Sequence, residues 1–213
     1  MNMNVCKPRA AVGAVAGVML VLAVSVLASA CAPLLLGGAM VGGGLVVVDR
    51  RTAGTQLEDE TIEFKAAARA RELSPAGHVN NTSYSRLLLI TGEVPSEVDR
   101  NLLAQQLARV ENVRSVVNEL AVMGNTSLTA RSNDSIISAK VKASFLDAKD
   151  LQATAVKVVT ERGTVFLMGR VTEREAARAA DLARGVNGVQ KVVRVFEMLT
   201  EAELATLQPP ASK

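Results

Sequence analysis

The chain has 213 residues with 24 Lys and Arg against 21 Asp and Glu, and its formal net charge is +3 at pH 7. This length accommodates one medium domain or two small ones. A single His and two Cys exclude most zinc sites, Cys/His proteases and disulfide frameworks. Four Phe, one Tyr and no Trp argue against a stacking platform, so we expect no nucleic acid partner.

Residues 1–30 have the pattern of a secretory signal peptide. Lys7 and Arg9 form a short basic start, and the run from Ala10 to Ala28 carries no charge. Cleavage after this segment would remove two basic residues, and the mature chain would then be close to neutral. We therefore expect residues 1–30 to direct export and to be absent from the working protein.

The signal ends in Leu27-Ala28-Ser29-Ala30-Cys31, where small residues before a cysteine resemble a bacterial lipobox. The resemblance implies that Cys31 is acylated, with chains such as palmitate, and it holds although Ala28 stands where a lipobox usually has Leu. Ala32 follows the cysteine in place of the Asp that retains lipoproteins at the inner membrane, which favours the periplasmic face of the outer membrane. An uncleaved membrane helix is the alternative, since the apolar run resumes from Ala32 to Val48.

The rest of the chain contains an internal repeat. Ile90-Thr91-Gly92-Glu93-Val94 matches Leu167-Met168-Gly169-Arg170-Val171, and the valine-rich segments from Val110 and from Val186 also match. Such self-similarity indicates two copies of one structural unit. The predicted parts after the signal are a lipidated Gly-rich tether (31–57), a first module (58–123), a linker (124–131), a second module (132–198) and a C-terminal tail (199–213).

Each module has the α+β pattern α-β-β-α-β. The first helix of each is predicted to begin at an acidic cap, Asp59 or Asp134, and Thr172 with Glu175 has capping-box spacing for the last helix of the second module. Gly163 supplies a residue that tolerates positive φ in a hairpin turn. Strands are predicted near 78–84, 87–94, 113–121, 155–160, 164–171 and 189–198. A unit of about 65 residues buries only about 60% of its surface, so packing of one module on the other would stabilise both, although the sequence does not say how they pack.

These features resemble the BON domain, in which a Gly-Xaa-Val segment, a helix, a Gly-Val step and a valine-rich strand follow one another. The most specific stretches are Gly54-Thr55-Gln56-Leu57-Glu58-Asp59, Ser132-Asn133-Asp134, Val165-Phe166-Leu167-Met168-Gly169 and Glu173-Arg174-Glu175-Ala176. The resemblance implies two modules, each with its helices on one face of a three-stranded sheet. For a lipoprotein with two BON domains it also implies non-catalytic binding of anionic phospholipid, support of envelope integrity and enrichment at division sites.

The charges agree with that implied function. Residues 58–123 have a net charge of −3 and residues 132–198 a net charge of +3, the sign that an anionic membrane attracts. On the helix predicted over 135–146, an apolar side chain lies beside lysines, as is typical of helices at a membrane interface. The candidate lipid-binding residues are Ile136, Lys140, Lys142, Ala143 and Leu146, with phosphatidylglycerol or cardiolipin as the expected lipid. In the alternative, Ile136 packs against the first module and the lysines only face solvent.

No other residues form a constellation that indicates catalysis, a metal or a cofactor. His78 has no second His or reactive Cys to accompany it and is predicted to be a surface or hydrogen-bonded histidine. We therefore expect a protein that is not an enzyme. The alternative function is that of a periplasmic adaptor, which docks on outer-membrane assembly proteins or on cell-wall components.

Overall fold

The structure is a computed structural model, and it describes residues 49–207. The predicted signal peptide, Cys31, most of the predicted tether and the end of the predicted tail lie outside the described residues. The elements in chain order are helix α1 (Ala53–Leu73), strands β1 (His78–Tyr84) and β2 (Leu87–Val94), helix α2 (Glu97–Leu107), strand β3 (Ser115–Val122), helix α3 (Leu128–Asp147), a 3-10 turn (Ala153–Ala155), strands β4 (Val156–Glu161) and β5 (Thr164–Val171), helix α4 (Glu173–Arg184), strand β6 (Lys191–Met198) and helix α5 (Glu201–Leu207).

The two halves of the chain share one topology. The strand orders are β1-β2-β3 and β4-β5-β6, and in each sheet the middle strand pairs antiparallel with the strand before it and parallel with the strand after it. A parallel pair needs a crossover connection, which α2 makes in the first module and α4 in the second. The predicted α-β-β-α-β order and the α+β fold class are confirmed.

Both faces of the two middle strands are buried, because each sheet is covered on both sides. Leu88 and Ile90 of β2 join the cluster that includes residues of α1 and α2, and Leu167 of β5 joins the cluster of α3 and α4. The intervening Leu89 and Phe166 point the other way and meet in a third cluster that both sheets share. The layers are therefore helices, sheet, sheet and helices, and the two modules pack against each other through their sheets.

Asp59 and Asp134 were predicted as helix caps, and this prediction is wrong. Helix α1 begins at Ala53 after the N-cap Thr52, and α3 begins at Leu128 after the N-cap Ser127. Each helix is thus nearly two turns longer at its start than the pattern indicated. The last residues of the predicted tether and linker belong to these helices.

The two aspartates instead hold the hairpin turn of their own module. Asp134 is buried, and its two carboxylate oxygens accept hydrogen bonds of 2.8 Å from the backbone N–H groups of Arg162 and Gly163. Both of these turn residues have positive φ, which costs energy for Arg162 because its Cβ crowds the backbone. Asp59 accepts equivalent bonds from the turn of the first module. The first helix of each module is thereby fixed to its hairpin.

Candidate membrane-contact face

Helix α3 buries one side and exposes the other. Ile137, Val141 and Phe145 are buried in the core of the second module, as predicted. Ile136 is 53% exposed and Leu146 is 73% exposed. The remaining candidates, Lys140, Lys142 and Ala143, are also exposed. The structure does not show the alternative packing of Ile136 against the first module.

The exposed apolar side chains of α3 lie in one strip along the helix. At about 3.6 residues per turn, these positions fall within roughly a quarter of the helix circumference. The α3 strip consists of Leu128, Ile136, Ala139, Ala143 and Leu146. Leu128 is 78% exposed and was missed, because the helix was predicted to begin only at residue 135. Lys140 and Lys142 lie on opposite sides of the strip, an arrangement typical of a helix that rests in a membrane surface.

Unpaired cations are concentrated around the same helix. Most Lys and Arg side chains of residues 49–207 form ion pairs with carboxylates. Within that range, the cations that form none are Arg71, Arg109, Arg131, Lys140, Lys142, Lys149 and Lys191. More than half of them lie on α3 or two residues beyond its end. Since Asp134 is buried in the hairpin turn, Asp147 is the one α3 carboxylate that faces solvent.

The corresponding helix of the first module has the opposite electrostatic character. Helix α1 also exposes large apolar side chains, Leu57 at 65% and Phe64 at 74%. Its five carboxylates outnumber its three cations, and Lys65 and Arg69 are paired with Glu111 and Glu72. The two modules therefore offer apolar residues on equivalent helices, but α3 carries three unpaired cations whereas Arg71 is the one unpaired cation of α1.

A residue from the predicted tether is built into the second module. Arg50 is 5% exposed, and its guanidinium donates two hydrogen bonds of 2.8 and 2.7 Å to the carboxylate of Glu175. It also donates to the backbone oxygen of Arg170 at 2.7 Å and to Oε1 of Gln152 at 3.1 Å. Sequence reasoning missed this contact, because nothing local to Arg50 indicates a partner so far along the chain.

Glu175 is held from two sides. It completes the predicted capping box with Thr172, which is confirmed, while Arg50 neutralises its charge. Burial by itself would raise the pKa of Glu175, but the hydrogen bonds from Arg50 and from the backbone of Thr172 lower it below its ordinary value. The chain therefore enters the folded region at a fixed point on the second module, the module that carries α3.

Comparison with known proteins agrees with this architecture. The BON-domain family model matches residues 58–124 and 133–200. The chain belongs to the BON family. Over 76% of its length it is 40% identical to the outer membrane lipoprotein DolP of Haemophilus influenzae, covering 87% of that protein. Over 70% of its length it is 34% identical to a 21 kDa hemolysin of Actinobacillus pleuropneumoniae, covering 78% of that protein.

Among solved structures, the chain matches one of CdsD, a structural protein of the type III secretion system of Chlamydia trachomatis. Its TM-score is 0.28 at 11% identity, and the match covers 74% of this chain and 99% of that chain. In the part of the BON protein that the structure describes, residues 49–207, no helix is both long and apolar enough to cross a membrane.

Proposed function

We propose that this BON protein is a non-catalytic lipoprotein of the outer membrane, anchored through acylated Cys31 on the periplasmic face. Its second module binds anionic phospholipid through the α3 strip and the lysines beside it, and so supports envelope integrity at division sites. The observation that carries the proposal is the coincidence of exposed apolar side chains with unpaired cations on one helix. The Haemophilus relative DolP is an outer membrane lipoprotein, and this similarity supports the location.

Each contact in this surface is weak by itself. A Lys close to an anionic membrane contributes about 1 kcal/mol, and a half-inserted aliphatic side chain contributes an amount of similar size. Ile136 lacks the polar ring N–H that gives Trp its preference for the headgroup layer, so its contribution to binding at that layer is smaller than that of a Trp. The contact is therefore reversible, and it becomes effective because an anchored chain stays within reach of the membrane.

The anchor and the α3 strip can engage the same membrane. From Cys31 to Asp49 the chain can extend by at most about 60 Å, and Arg50 fixes its entry point to the second module. Tethering raises the effective concentration of the weak binding face at the lipid surface. Binding through α3 then orients the module rather than recruiting it.

Vesicle flotation of residues 49–213, which lack the anchor, tests the lipid site. The fragment begins at residue 49 because a later start would remove the buried Arg50. We expect flotation with phosphatidylglycerol-containing vesicles at low salt, and little flotation with neutral vesicles or at high salt. Lys140→Glu, which changes two units of charge, is expected to weaken binding about 30-fold, and Ile136→Asp to abolish it.

Phe64→Asp is the matched control, because it places the same charge at an apolar site on α1 that is even more exposed than Ile136. This variant is expected to float as the unmodified fragment does. Equal losses in the α1 and α3 variants would refute a specific α3 site. Undiminished flotation of folded Ile136→Asp and Lys140→Glu would refute it as well.

The exposed apolar side chains of α1 favour a second candidate function, that of an adaptor for outer-membrane assembly proteins. Phe64 and Leu57 are more exposed than Ile136 and lie among carboxylates that repel an anionic membrane. A photo-crosslinking residue at position 64 of the anchored protein is expected to capture a discrete protein if α1 is a docking face, whereas position 136 captures lipid. If position 64 captures no protein in intact cells, α1 is not such a face.

A further inference from the structure

A cluster of metal-ligating side chains lies where the two BON modules meet. His78 begins β1 and stands opposite Glu93 of β2, while Glu161 ends β4 in the other module. Nδ1 of His78 lies 3.3 Å from Oε2 of Glu93. One ligand atom from each of the three residues can be chosen so that all lie within 4.8 Å of one another.

Both carboxylates are withdrawn from water. Glu93 has no exposed surface, and Glu161 is 3% exposed. Oε1 of Glu93 accepts a hydrogen bond of 2.7 Å from Arg162, whereas its Oε2 takes only longer bonds, of 3.2 Å, from the backbone and hydroxyl of Thr126. The oxygen of Glu93 that faces His78 is therefore the less strongly bonded one.

Glu161 is less well satisfied than Glu93. Its Oε2 accepts a hydrogen bond of 2.9 Å from the amide of Asn80, and its other oxygen accepts none from residues 49–207. Burial raises the pKa of Glu161, and the nearby charge of Glu93 raises it further, despite the bond from Asn80. This buried carboxylate thus has an oxygen free to take a ligand.

A cavity of about 220 Å³ opens beside the cluster and gives access to it. Its lining residues are His78, Asn80, Arg131, Asp134, Ser135, Ser138, Thr160 and Glu161. Arg162 and Arg131 are the cations near the cluster; the first is engaged by Glu93, and the second donates to the hydroxyl of Thr126. The cavity has room for an ion together with water ligands.

We propose that His78, Glu93 and Glu161 form a binding site for a divalent transition-metal ion, with Zn²⁺ as the best-fitting ion. Imidazole and carboxylate are zinc ligands, and Zn–N and Zn–O bonds of about 2.0–2.1 Å in a tetrahedron place neighbouring ligand atoms about 3.3–3.4 Å apart. The separation of His78 and Glu93 already has this value. Glu161 completes the site by a movement of up to about 1.4 Å, and a water from the cavity supplies the fourth ligand.

A bound ion would crosslink the two modules. His78 and Glu93 come from the first sheet and Glu161 from the second, so one ion joins strands β1, β2 and β4. The Asn80 amide, which crosses from the first module to hold Glu161, acts as the group that orients a metal ligand. A bound cation also offsets the repulsion between the two buried carboxylates.

Calorimetric and thermal titration of the full-length protein tests the site, with the protein purified in detergent without a histidine tag and stripped with EDTA. We expect one Zn²⁺ per chain and a melting temperature that rises with Zn²⁺ concentration. His78→Asn and Glu161→Gln should each weaken binding by at least 10-fold. Glu119→Gln, which changes a carboxylate outside the cluster, should leave the affinity unchanged.

Glu161→Gln also separates loss of the site from loss of the fold. Removing a buried carboxylate next to Glu93 is expected to leave the EDTA-treated protein at least as stable as the unmodified one, so a lost response to Zn²⁺ would reflect the ligand itself. The proposal would be overturned if His78→Asn and Glu161→Gln bound Zn²⁺ as tightly as the unmodified protein does. The absence of any response in the unmodified protein at 100 μM Zn²⁺ (a concentration of roughly 100 times a micromolar Kd) would overturn it too.

Discussion

Replacement of Gly92 by Ala is expected to lower the free energy of unfolding by about 2–6 kcal/mol. Gly92 lies in the middle strand β2 with φ of +113°, a conformation that side chains rarely adopt. A Cβ there would stand 1.9 Å from the carbonyl oxygen of His78, which is backbone of the neighbouring strand and cannot simply rotate away. The estimate combines about 1–3 kcal/mol for the unfavourable φ with about 1–3 kcal/mol for overpacking.

Thermal unfolding followed by circular dichroism measures this loss, which corresponds to a fall in melting temperature on the order of 10 °C. Gly124→Ala is the matched control, because an added Cβ at Gly124 meets nothing within 4 Å. A melting temperature for Gly92→Ala within 2–3 °C of the control, a change of only about 1 kcal/mol, would show that β1 and β2 can separate without cost.

The strands could be predicted because their signal is local. The apolar runs in Leu87–Val94 and Thr164–Val171 indicated the middle strands with the bounds that the structure shows. The starts of α1 and α3 could not be predicted in the same way. Asp59 and Asp134 have the residue type of a helix cap, and only the hairpin turn that folds back onto them shows that their carboxylates serve another segment.

The same distinction applies to the candidate functional residues. Ile136 and Lys140 could be selected from the sequence, because the exposed side of a helix follows from its own periodicity. Arg50 and Glu175 are 125 residues apart, and no periodic pattern joins them. Likewise, His78 was predicted to be a surface or hydrogen-bonded histidine, and nothing in the sequence indicated that the fold brings Glu161 to it from the second module. Contacts between modules depend on how the sheets pack, which the repeat by itself does not specify.

Replacement of Arg50 by Ala is the second change expected to have a large effect, with a loss of about 3–5 kcal/mol near neutral pH. The loss arises because Glu175 would remain buried and charged without its partner. Arg174→Ala is a suitable control, since Arg174 lies on α4 next to Glu175. It forms an exposed ion pair with Glu201, which contributes at most about 1 kcal/mol. Urea denaturation of the two variants of residues 49–213 provides the comparison.

The Arg50 effect should depend on pH in a predictable direction. The pKa of Glu175 in the folded protein lies below its ordinary value of 4.5, so its contribution to stability is present above pH 4.5 and is lost as the pH falls through the folded-state pKa. The difference in unfolding free energy between the unmodified fragment and Arg50→Ala should therefore shrink on acidification below pH 4.5. A difference that stays constant between pH 7 and pH 3 would mean that Arg50 acts through packing. In either case the fragment must keep residue 50, because the second module, which carries the α3 strip, is completed by a side chain from the segment that leads to the proposed anchor.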